Sequence, residues 1–174
     1  IGTFDQNSVF EGNVAMNQGG GVMVAGDSSC SLKDSLLLRN YGFYGGALYV
    51  DGCAIALSTV EVRDNAVEDG GYGGGLFIAK NGRSNIMKES LFVSNTATKG
   101  GAAYVEYGSL FYVEDSTLRA NVAQYDGGGV FVNDATALLK DSVVEENMAV
   151  DEGGGLNVQN GGNMTAIGTT FRRN

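Results

Sequence analysis

The chain repeats one unit every 26 or 27 residues, and a period in that range means a stack of equivalent coils rather than a conventional globule. Each unit carries two signatures. The first is Gly-Gly-Gly/Ala followed by apolar, any, apolar. It stands at 19–24, 45–50, 73–78, 100–105, 127–132 and 153–158. The second is an Asn three residues after an apolar side chain: Phe10/Asn13, Leu37/Asn40, Val62/Asn65, Phe92/Asn95, Leu118/Asn121, Val144/Asn147 and Phe171/Asn174.

One unit has room for three short strands. In residues 100–121 the glycines mark a turn, because glycine accepts positive φ without strain. Ala103, Tyr104 and Val105 alternate inward and outward with the period of a strand. A second turn at Glu106-Tyr107-Gly108 leads to Phe111 and Val113 on one face. After a corner at Asp115-Ser116, Leu118 points inward and Asn121 closes the unit. Glycines interrupt every helical period, so the expected fold is all-β: a parallel β-helix of about six coils with three short strands each. Residues 1–174 read as a single solenoid segment. Ile1 falls in mid-repeat and Asn174 on the repeat's own Asn, so both ends read as cuts within a longer repeat protein. The unit lengthens at Glu68-Asp69-Gly70-Gly71-Tyr72, expected as a surface bulge loop, and becomes irregular at Asn81-Gly82-Arg83-Ser84.

Histidine is absent. A Ser-His-Asp triad, a Cys-His pair and a His-based metal site are therefore excluded within the chain. A net charge of −9 repels phosphate backbones and argues against nucleic-acid binding. No run of apolar residues reaches membrane-spanning length. No cofactor is implied. Cys30 and Cys53 lie at similar points of adjacent units. They read either as a staple between neighbouring coils in an oxidising compartment or as two buried thiols.

Stacked coils lie about 4.8 Å apart, so like residues at one repeat position form a row. Asn13, Asn40, Asn65, Asn95, Asn121, Asn147 and Asn174 read as a structural hydrogen-bonded ladder, with each Asn also supplying the left-handed conformation of a corner. Ser8, Ser35, Ser90, Ser116, Ser142 and Thr169, broken by Val60, form a second row that satisfies local backbone. A residue repeated so often is architecture, not a nucleophile. The preceding positions, Asp34, Glu89, Asp115 and Asp141, read as a solvated charged edge that blocks lateral aggregation, with a calcium-collecting row as the rival reading. No metal site is assigned. Tyr49, Phe77, Tyr104 and Phe131 fall on one outward row, flanked by Met23 and Asn157. They are expected as an exposed contact stripe, or as reinforcement between coils.

The pairing of Gly45-Gly46-Ala47-Leu48 and Gly100-Gly101-Ala102-Ala103 with Phe10-x-x-Asn13, Phe92-x-x-Asn95 and Phe171-x-x-Asn174 resembles the repeats of polymorphic outer-membrane proteins of intracellular bacteria. It is also similar to right-handed β-helix repeats of the pectin-lyase-like class in large surface proteins of algae and protists. The resemblance implies a right-handed helix and a secreted passenger or fibre used for adhesion and surface structure. The expectation is a non-enzymatic, extracellular or cell-surface rod whose partners are other coils or subunits of a larger assembly, or carbohydrate. The alternative is a polysaccharide-binding or polysaccharide-processing domain, for which Glu61, Arg63 and Asp64, beside Arg39 and Glu89, are the candidate acids and cations. Ice binding would need aligned threonines, and Thr59, Thr96, Thr98, Thr117, Thr136 and Thr165 share no row. Asn163-Met164-Thr165 is a glycosylation acceptor if the chain is secreted by a eukaryote.

Overall fold

The computed structural model describes residues 2–4, 7–80 and 85–174. Among them every regular element is a β-strand, and every ladder between strands is parallel. The strands make four sheets that run along the stack, two of seven strands, one of six and one of five. Each coil therefore contributes four strands, not three. In one coil, Leu110–Glu114 belongs to the first sheet, Thr117–Arg119 to the second and Val122–Asp126 to the third. Ala103–Glu106, just before them, belongs to the fourth. The strand absent from the sequence reading is the third-sheet one, between the ladder Asn and the next glycines. Its ladder shifts register from coil to coil, so it carries no steady period-two signal.

Register is strict elsewhere. Leu48, Leu76, Ala103 and Val130 pair in sequence along the fourth sheet, as do Val50, Ile78, Val105 and Val132. All eight point inward and are fully buried. Phe92, Leu118 and Val144 do the same from the second sheet, and Leu57, Met87, Val113 and Leu139 from the first. A one-residue slip would turn each of these rows to solvent, so burial itself holds the register.

The glycine signature is required by a close approach. Its first member, such as Gly100 (φ +66), sits in the left-handed region. A Cβ on the second, Gly101, would lie 2.4 Å from the carbonyl oxygen of Gly128 in the next coil. The third position faces the core and accepts Ala47 or Ala102, both fully buried.

The Asn row forms an unbroken ladder from Asn13 to Asn174. The backbone N–H and the side-chain Nδ2 of Asn95 both donate to Oδ1 of Asn121, at 3.0 and 2.9 Å. The other Nδ2 hydrogen goes back to the carbonyl of Val62, 2.9 Å away. Asn95 Oδ1 in turn accepts two bonds from Asn65. Every donor and acceptor of a buried amide is thus used. The left-handed corner, however, belongs to the residue before each Asn: Arg39, Asp64, Ser94, Ala120, Glu146 and Arg173 all have positive φ, and the asparagines do not. The ladder leaves no amide group free to make a local turn, so the strain falls on the neighbour.

The Ser row works in a similar way. Ser90 Oγ donates to the carbonyl of Lys88 and accepts from the N–H of Val60 in the preceding coil. Ser116 Oγ donates to Glu114 and accepts from Ser90. The acidic row at Asp34, Glu89, Asp115 and Asp141 is the left-handed corner just ahead of these serines. Among the described residues no three His, Cys, Asp or Glu side chains gather in metal-binding range.

The expected bulge loop is part of a strand, Ala66–Tyr72, whose extra residues fold over the third sheet. The N–H of Gly70 donates to Thr98 Oγ1 at 2.8 Å, and Gln124 Nε2 donates to Asp69 Oδ1 at 3.0 Å. The segment is thus a strap across the two following coils, and Thr98 is buried beneath it. The irregular stretch Asn81–Ser84 lies outside the described residues.

Asn95→Leu removes the acceptor of two donors on Asn65. Each stranded buried donor costs about 1–3 kcal/mol, so the loss of unfolding free energy is on the order of 2–6 kcal/mol. Chemical denaturation measures it. A loss below about 1 kcal/mol would show that the ladder does not stabilise the stack.

Candidate functional site

Tyr49, Phe77, Tyr104 and Phe131 are consecutive partners on the outer face of the fourth sheet. Their rings stack at 5.3, 5.0 and 5.0 Å with interplanar angles of 12° or less. The strand spacing of about 4.7–4.9 Å imposes that separation. The rings are not exposed, which corrects the expected contact stripe: each retains 6% accessibility or less. The cover comes from the residues just before the glycines, one coil away on the diagonal. Tyr44 packs on Phe77, Tyr72 stacks on Tyr104 at 4.9 Å, and Lys99 Nζ lies 4.9 Å from the Phe131 ring centre. Lys99 also pairs with Asp126 at 2.7 Å. Met23, half-exposed, and Asn157, buried, end the row. The row is therefore a second, outer core over the glycine turn.

Burial pushes the Tyr49 hydroxyl up to about 12, helped by the nearby carboxylates of Asp51 and Glu106. Burial raises Tyr104 further, with Glu106 adding to it. Glu106 is itself raised by burial. The small Ala79 packs against the rings.

Cys30 and Cys53 are both buried and both free. The expected staple is not formed. Cys30 sits inside its strand, opposite Ile55, whereas Cys53 precedes the neighbouring strand and directs its thiol to the carbonyl of Val24 at 3.1 Å. Burial raises the pKa of both thiols.

The acids and cations considered for polysaccharide chemistry are only partly brought together. Arg63 Nε lies 3.1 Å from Glu61 and its NH1 3.6 Å from Asp64. Arg39 turns away to Glu11 in the preceding coil. Glu89 is exposed on its corner. A shallow depression of about 360 Å³ beside this group is lined by Ser8, Asp34, Ser35, Thr59 and Glu61 among others. Glu61 is the member of the candidate set that it contains.

Charges on the outer faces pair along the stack. On the first sheet Glu114 lies between Lys88, at 2.5 Å, and Lys140, at 2.7 Å. Hydrogen bonds from Lys140 and Lys88 hold its carboxyl down at about 2. On the second sheet Glu145 receives Arg172 at 2.7 Å and Arg173 at 3.2 Å. Asn163 is exposed at the start of the strand Asn163–Ile167, with Thr165 exposed two residues on.

A family model described as the right-handed beta helix region matches residues 1–118. The chain belongs to this family of right-handed parallel β-helices. No curated protein and no solved structure matches it. The fold is that of a structural or polysaccharide-related module.

Two titrations follow. A phenol raised in the folded state contributes stability that is present below the ordinary value of 10.0 and is lost as pH rises toward about 12. Absorbance at 295 nm should show exposed tyrosines ionising first, with Tyr49 and Tyr104 delayed until the fold gives way; Tyr49→Phe removes one delayed group. A single uniform transition near pH 10 would contradict the buried stack. For Glu114 the sign is opposite. Its stabilisation is present above the ordinary 4.5 and disappears as pH falls toward about 2. The melting temperature of Glu114→Gln should lie below that of the parent at neutral pH and converge with it in strong acid.

Proposed function

We propose that the chain is a structural rod module of an extracellular, cell-surface assembly, acting in adhesion rather than catalysis. One observation supports this most: the Asn ladder runs unbroken through seven asparagines, with the inner rows stacked in register around it. A hydrogen-bonded ladder of this length favours stiffness along one axis. The candidate catalytic set gives less support to the polysaccharide-processing alternative. Arg63 faces both Glu61 and Asp64, and such mutual pairing favours a structural use of the charges. The likeness of the Gly-Gly-Ala and Phe-x-x-Asn pattern to bacterial and protist surface repeats points the same way.

Antibodies raised against the chain should label the outside of intact, unpermeabilised cells of the organism that makes it. Labelling only after permeabilisation would overturn the surface assignment. Incubation with uronic-acid polymers should leave their chain length unchanged. Depolymerisation that is lost in Glu61→Gln would establish the enzymatic alternative instead.

A further inference from the structure

The outer face of the third sheet differs from its neighbours. On the first sheet Lys88, Glu114 and Lys140 extend over the outward apolar side chains, and Lys88 Nζ lies 5.9 Å from the Tyr112 ring centre. On the second sheet arginines pair with glutamates. Long charged side chains commonly cover apolar surface in this way. The strands of the third sheet carry one cation, Lys99, and it is committed to Asp126 and the Phe131 ring. Among the described residues no other strand of this sheet holds a lysine or arginine, and its outward row runs in register through Val14, Tyr41, Ala66, Thr96, Val122 and Met148. Tyr41 is 39% accessible, Met148 55% and the adjoining Tyr125 51%. Exposed apolar side chains aligned on one face point to a contact site.

Apart from Lys99, which is paired with Asp126, the charged residues on the strands of this face are acidic. Glu68 and Asp69 are exposed on the strap across its middle, and Asp151 and Glu152 are exposed beside its far end. A second copy of the chain would bring acid against acid, in a molecule whose net charge is already −9. A surface that is apolar with acidic borders is complementary to one that is apolar with basic borders. We propose that this face docks a partner segment of basic, amphipathic character, its apolar side on Tyr41, Val122, Tyr125 and Met148, its lysines or arginines on Glu68, Asp69 and Asp151.

The probe is a labelled helix-forming Leu/Lys peptide of about 18 residues with one apolar face, beside its Leu/Glu counterpart. Fluorescence anisotropy with the intact chain reads binding. The Leu/Lys peptide should bind saturably and weaken as salt is raised, and the Leu/Glu peptide should not bind. Tyr125→Ser combined with Met148→Ser should weaken binding about tenfold or more, a loss typical of central apolar anchors. Glu68→Gln with Asp69→Asn should weaken it several-fold. The same charge removal at the corner between the first and second sheets, Glu89→Gln with Asp115→Asn, should change it less than about twofold. All these side chains point outward, and circular dichroism checks that each variant keeps its strands. Equal weakening by the two charge pairs would reduce the effect to bulk charge and overturn the proposal. So would absence of binding, or a concentration-dependent dimer that Tyr125→Ser abolishes, which would assign the face to a second copy.

Discussion

The constraint on which the structure depends is translation by one coil. Successive strands lie in parallel register, so each side chain has its nearest non-local neighbour at the same position of the next unit. A residue type is therefore tested against itself. Hydrophobic side chains pass that test inside the coil, where Leu48, Leu76, Ala103 and Val130 fill one column. Buried polar residues pass it only if one side chain carries both donors and acceptors. Asn does, and each amide both gives and receives along the axis. Asp in the same column would set acceptor against acceptor, and Leu would leave main-chain and side-chain donors without partners. Ser meets the lighter demand of its own corner, where one hydroxyl bonds one carbonyl and one N–H. Glycine is needed where even a Cβ would collide with the coil above.

This self-matching is why so much of the fold was legible in the sequence. The two signatures recur because the stack demands identical chemistry at identical heights. The column of Asn, the column of Ser and the Gly-Gly pair could be assigned before any coordinates. What was not legible follows from the same geometry at the corners. The left-handed residue before each Asn is Arg, Asp, Ser, Ala or Glu, with Gly once at Gly12. No residue preference marks it, because the ladder and the buried strands on both sides force the conformation. The third-sheet strand was missed because its length and register change from Tyr41–Tyr44 to Ala66–Tyr72 to Thr96–Lys99. Alternation alone placed Tyr49, Phe77, Tyr104 and Phe131 on the outside, which is correct for the direction of the side chains. It could not show that Tyr44, Tyr72 and Lys99 cross the glycine turn from an adjacent coil and close over them.

The outer aromatic layer has a physical purpose of its own. The glycine turn has no side chains with which to exclude water from its backbone hydrogen bonds. Stacked rings above it supply that cover, and the adjoining row seals it with two tyrosines and the Lys99–Asp126 pair. The cost is that two phenols and a carboxylate lie in surroundings that disfavour their charged forms. That cost is small at neutral pH, where the phenols are uncharged. It becomes large in alkali, whereas in strong acid the loss falls on the paired carboxylates Glu114 and Glu145.

A rod made of self-matching rows has little room for chemistry. A catalytic site or a binding site needs residues that differ from their counterparts one coil away, and these appear only where the repeat is broken. Among the described residues the strap at Glu68–Gly71 is the largest such break. It places two carboxylates over a face whose other strand charges, Lys99 and Asp126, pair with each other. Its packing on Thr98 and Gln124 fixes its position on the rod. The break thus converts a uniform face into one with a centre and two apolar flanks. Recognition of a particular partner requires that kind of landmark, since an unbroken repeat would allow a ligand to slide by one coil with no loss of contact.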